Sequence, residues 1–195
     1  ARLQVAAEAL APALEVRAAR WLPLPRAARL ERRELARVAL GSRRLLPLEL
    51  PFSHDLKAPA RLVGDLRRAG WEPLLFAPEL HPEVQRQAEL SRYLLQAGGW
   101  LVLDAGSLAG RNGHGARVAA LRLVRLGWYS FCAGFLAHPG GPVAPEEVLE
   151  LLRRAPRRRP WRPGEAEALV EGRLGRAFGA FGPFGGPGGH PALPP

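Results

Sequence analysis

Gly70-Trp71-Glu72-Pro73-Leu74-Leu75-Phe76-Ala77-Pro78-Glu79-Leu80-His81-Pro82, continued by Gly98-Gly99-Trp100-Leu101-Val102-Leu103-Asp104, is the stretch that decides the fold. Gly70 stands where a helix C-cap needs a residue free to take positive φ. Residues 71–76, apolar except for Glu72, read as a strand. Pro82 suits the first turn of a helix over residues 83–96, whose Val84, Ala88, Ser91, Leu94 and Leu95 make one buried stripe. Gly98–Gly99 end that helix. Residues 100–103 are continuously apolar, as in a strand covered on both faces.

The same alternation extends outward. Residues 45–50 read as a strand and 59–69 as a helix with Leu62, Val63 and Leu66 on one face. A loop over 105–115 holds Gly106, Gly110, Gly113 and Gly115. A helix over 116–126 and a strand over 128–136 follow, joined at Gly127-Trp128 as the earlier pair is joined at Gly70-Trp71. Successive β–α–β units imply parallel strands with right-handed crossovers. The expected fold class is therefore α/β: a Rossmann-like, mostly parallel sheet with flanking helices over residues 43–154. A helical segment over 1–42 precedes it, including a helix over 26–40. A helix over 145–154 closes the core. A basic and then Gly/Pro/Phe-rich extension over 155–195 follows, with a last helix expected over 166–177.

Composition sets outer limits. The chain has 195 residues, is 47% hydrophobic and carries a net charge of +10. It has the apolar content to bury a core and lacks the run of about 18 apolar residues that a membrane span needs. The first residues lack the basic-then-apolar order of a signal peptide, and a removed presequence stays open. One cysteine, Cys132, makes no internal disulfide, which points to a cytoplasmic or other reducing compartment. Its burial as a small hydrophobe outweighs a catalytic role. No metal-ligand spacing appears among the histidines.

Lys57 is the only lysine, so arginine carries the positive charge. Two explanations stand together: contact with a nucleic acid or ribonucleoprotein, or the Arg, Ala, Gly and Pro bias of a GC-rich genome. Arg157, Arg158, Arg159 and Arg162 surround Trp161 and are the candidate nucleic-acid contacts. Phe178, Phe181 and Phe184 punctuate a tail that is either disordered in isolation or extended on a protein partner.

The segment 71–104, with Leu80–His81, Glu89, Arg92, Leu94 and Gly98–Gly99, resembles the late half of class I S-adenosylmethionine-dependent methyltransferases. The resemblance extends over residues 71–136. It implies a transferase with S-adenosylmethionine as cofactor. Glu79 and His81 would be the catalytic pair near the methyl acceptor. Asp104, Gly106 and Gly110, with Glu15 on an early strand, would bind the cofactor. The early turn departs from the family: Arg17, Ala19 and Arg20 stand where glycines let backbone approach the ligand. The alternative is therefore a catalytically inactive subunit of the same fold, bound to nucleic acid or to a multi-protein assembly. The choice between enzyme and non-enzyme stays open at this level.

Overall fold

The computed structural model describes residues 21–40, 44–53, 55–133, 143–155 and 166. Five strands form one sheet: β1 (Leu22–Pro23), β2 (Leu45–Glu49), β3 (Glu72–Phe76), β4 (Trp100–Asp104) and β5 (Phe131–Ala133). Their spatial order is their chain order, β1-β2-β3-β4-β5, and every pairing is parallel. The parallel α/β architecture expected from the sequence is present. The order has no reversal, so it lacks the switch point at which a doubly wound sheet binds its ligand. Sequential parallel neighbours joined by helices are the winding seen along a β/α barrel.

The helices are α1 (Leu24–Ala27), α2 (Arg32–Val38), α3 (Lys57–Arg68), α4 (Pro82–Arg86), α5 (Arg92–Gln96), α6 (Ala105–Leu108), α7 (His114–Leu126) and α8 (Pro145–Arg154). Three expected elements differ. The helix expected over 26–40 is two short helices preceded by a strand, so the sheet begins before residue 43. The helix expected over 83–96 is interrupted at Gln87, whose φ of −144° is extended, and a 3-10 turn over Ala88–Ser91 intervenes. The loop expected over 105–115 opens with α6. The segments 1–20, 156–165 and 167–195 lie outside the described residues, and with them Glu15, Arg157, Arg158, Arg159, Arg162 and the phenylalanines of the tail.

Register divides the sheet into two faces. Leu22, Leu48, Leu75 and Leu101 align as one row across four strands. All four are buried in the core cluster with Val63, Leu66, Leu94 and Leu123 of the helices. The opposite face carries Pro23, Glu49, Phe76 and Val102 in the neighbouring row. No described helix is long and apolar enough to cross a membrane.

Gly99 shows how tightly helices and sheet meet. A Cβ placed there would stand 2.8 Å from Leu75 Cδ1 and 3.0 Å from the Leu94 carbonyl oxygen. Backbone cannot yield as a side-chain tip does. Gly99→Ala should therefore cost about 1–3 kcal/mol, read as a lower urea midpoint with unchanged slope. An unchanged midpoint would mean that the helix layer sits further from β3 than described.

Candidate functional site

In a parallel sheet, ligands gather outside the carboxyl ends of the strands. At that edge β3 ends on Phe76 and the chain turns sharply. Ala77 takes φ 47° and ψ 52°, left-handed values that a residue with a Cβ adopts at a cost of about 1 kcal/mol. Pro78 then starts a 3-10 turn, Pro78–Leu80, that sends the Glu79 side chain inward. Ala77 N–H donates to the Val102 carbonyl at 2.8 Å, which fixes the turn against β4.

Glu79 is fully buried. Its Oε1 accepts the Asp104 N–H at 2.9 Å, and its Oε2 accepts the Tyr129 O–H at 2.7 Å. One carboxyl group thus ties the exit of β3 to the end of β4 and to the residues leading into β5. Desolvation by burial pushes its pKa up to about 7, against the pull of hydrogen bonds from Tyr129, its own backbone, Asp104 and Ser107. Burial likewise raises the Tyr129 phenol, helped by the Glu79 charge. Burial first, then Glu79 and Asp104, push the Cys132 thiol up, which favours the protonated thiol.

Asp104 ends β4 and caps α6. Its Oδ1 accepts the Gly106 N–H at 2.7 Å. Asn112 Nδ2 donates to Ser107 Oγ at 2.9 Å and lies 3.3 Å from Asp104 Oδ2. Gly106 is buried within α6. Gly110 turns the chain at φ 83°, packed beside the Arg117 side chain. The glycine loop read from sequence is thus a capped helical turn whose acidic residue holds its own backbone.

His81 is buried too and serves as N-cap of α4: its Nδ1 accepts the Glu83 N–H at 3.2 Å. Nε2 lies 3.3 Å from the Ser53 N–H and beside the Pro51 carbonyl. A neutral imidazole has one lone pair. The neutral ring therefore accepts at one nitrogen only, from Glu83 N–H or Ser53 N–H, and the other nitrogen carries the proton. Desolvation lowers the His81 pKa, opposed by the Pro51 carbonyl and the Glu83 charge, so the neutral form is favoured. Phe52, the most exposed large apolar residue described, stacks beside His81 with ring centroids 6.5 Å apart.

The sequence placed Glu79, His81 and Asp104 at one edge of the sheet, and the structure brings them to that edge. It did not single out Tyr129, the phenol that partners Glu79, or Asn112. No local signal marks the first, because 50 residues separate it from Glu79. Among the described residues, no group of three or more His, Cys, Asp or Glu comes together.

Known proteins place this framework in a different context from the one expected. No family model matches the chain. Over 96 residues it is 30% identical to the tyrosine-protein phosphatase YwqE of Bacillus subtilis (strain 168). The chain is similar to a tyrosine phosphatase. That alignment takes in 49% of this chain and 38% of YwqE, so the chain spans well under half of that relative. A chain from the crystal structures of YwqE and of CpsB from Streptococcus pneumoniae, described as unique metal-dependent tyrosine phosphatases, matches with a TM-score of 0.56. It is 24% identical, and the match covers 71% of this chain and 59% of that one. These findings overturn the methyltransferase resemblance, the S-adenosylmethionine cofactor and the inactive methyltransferase-fold alternative together. The misreading has a physical source. A β–α–β–α run with a Gly-Gly turn carried the resemblance, and such a run does not report strand order, which here is β1-β2-β3-β4-β5.

A pH experiment tests the Glu79 assignment. Its folded pKa of about 7 lies above the ordinary glutamate value of 4.5, so between these values the folded protein holds a proton that the unfolded chain has released. The resulting stability is complete below pH 4.5, falls as pH rises toward 7 and then levels off. Glu79→Gln keeps an acceptor for Asp104 and removes the charge. The variant should gain roughly 2–4 kcal/mol on the parent protein between pH 4.5 and pH 8, read from paired thermal melts. A stability difference independent of pH would place the Glu79 carboxyl in a wetter setting.

Proposed function

We propose that this chain is a YwqE-like tyrosine phosphatase-type protein that acts on phosphotyrosyl groups. The observation carrying this reading is the 30% identity over 96 residues to a tyrosine-protein phosphatase. The fold likeness at a TM-score of 0.56 supports the same framework. The net charge of +10 is favourable for an anionic phosphoester substrate. The reaction class is hydrolysis: water adds to phosphorus, the bond from phosphorus to the phenolic oxygen breaks, and tyrosine and inorganic phosphate leave.

The likeness also implies a metal, and the described residues do not fit one. Both oxygens of Glu79 accept hydrogen bonds, Asp104 caps α6, and His81 offers its one lone pair to the Glu83 or the Ser53 N–H. His114 stands on α7, while His54, His138 and His190 lie outside the described residues. The described core therefore supplies the framework of such a protein without a metal-binding set, and no catalytic step is routed through a metal here.

Phosphate release from a phosphotyrosyl peptide, with and without added Mn2+, tests the reading. A phosphoseryl peptide of the same sequence is the control. The proposal predicts release from the phosphotyrosyl peptide and a clear preference over the control. A folded protein that neither hydrolyses nor binds the phosphotyrosyl peptide would refute it.

A further inference from the structure

We infer that the mouth of this sheet is flanked by an aromatic pair and holds no metal ion through the described side chains at its strand ends. The inference deepens the phosphatase reading, since it concerns the edge where that activity would be sought. It stands on three independent features of the carboxyl-end edge.

The first is the donor set. On the face away from the helices, register aligns Pro23, Glu49 and Phe76 at the ends of β1, β2 and β3, and pairs Asp104 with Ala133 at the ends of β4 and β5. Proline, phenylalanine and alanine side chains offer no ligand atom. That leaves Glu49 and Asp104, two strands apart with Phe76 between them. A catalytic zinc ion ordinarily takes three protein ligands, more than these two separated carboxylates supply.

The second is what fills the space. The rings of Trp21 and Phe76 lie with centroids 4.5 Å apart and planes tilted by 32°. Trp21 immediately precedes β1, and Phe76 ends β3. Two strand spacings separate β1 from β3, about 9.6 Å. Rings rooted that far apart meet only by leaning toward each other over β2, beside Glu49. The pair thus lays apolar surface across β2 beside the strand ends and leaves Glu49 itself exposed.

The third is the commitment of neighbouring polar groups. Glu79 lies beneath the strand ends with both oxygens bonded, and His81 has no second lone pair to offer. Three buried side-chain atoms among the described residues lack a hydrogen-bond partner: Glu89 Oε2, Ser91 Oγ and Trp128 Nε1. None belongs to a strand-end residue.

The test is calorimetric titration of the full chain with Mn2+, repeated on Glu49→Gln, Asp104→Asn and His81→Asn. Glu49 is exposed, so its variant should fold even if the other two do not. The inference predicts that Mn2+ affinity, whether measurable or absent in the parent protein, is the same within twofold in every folded variant. A tenfold or greater loss of Mn2+ affinity in any folded variant would overturn it. Phosphotyrosyl-peptide binding, measured on the same samples without metal, reports separately on the phosphatase reading. Loss of that binding with unchanged Mn2+ behaviour would count against the function and leave this inference standing.

Discussion

A carboxyl group taken wholly out of water costs several kcal/mol unless hydrogen bonds replace its hydration. Glu79 meets that condition with the Asp104 N–H and the Tyr129 O–H, from two different parts of the chain. Because each partner is on another strand or its approach, satisfying one side chain fixes three segments relative to each other. The left-handed Ala77 and the proline after it exist in service of this placement, since they aim the side chain inward. Asp104 then has its backbone held by Glu79 while its side chain caps α6, so the next β–α connection inherits the same anchor. The edge is rigid for the reason that it is polar and dry at once.

Around that anchor the sheet is wound without reversal. Each helix returns the chain to the next strand in line, and the row Leu22, Leu48, Leu75 and Leu101 seals against the helices. The other face is different in kind. Its Trp21–Phe76 pair sits at the edge where a β/α framework presents its chemistry. Likeness to a tyrosine phosphatase and, among the described residues, no metal-binding group therefore stand together. The framework and the chemistry grafted on it vary separately.

Much of the framework was legible in the sequence because it is local. The helices α3, α7 and α8 announce themselves by apolar spacing and by Gly70 and Gly127, both at positive φ. The strands β2, β3 and β4 are apolar runs with one acidic residue at an end: Glu49, Glu72 and Asp104. Strand β1 was not legible, because Leu22–Pro23 is two residues long and has no period to read. Nor was the break at Gln87, since the residues on either side keep one helical stripe buried. Strand order is a long-range property that β–α alternation does not encode, and the methyltransferase reading gave way to the likeness to YwqE. The candidate site was half legible: Glu79, His81 and Asp104 follow strands and so had to meet at one edge. Their roles depended on Tyr129, Glu83 and Gly106 as partners and on complete burial, which spacing alone does not report.

The central claim is that the Glu79 carboxyl is dry and bonded where the strands end. A carbon-13 titration of that carboxyl, with glutamate labelled at the carboxyl carbon and Glu79→Gln used for assignment, reads it directly. The account predicts a midpoint near 7, with the Asp104 amide proton moving in step. A midpoint near 4.5, with an Asp104 amide indifferent to it, would contradict the account.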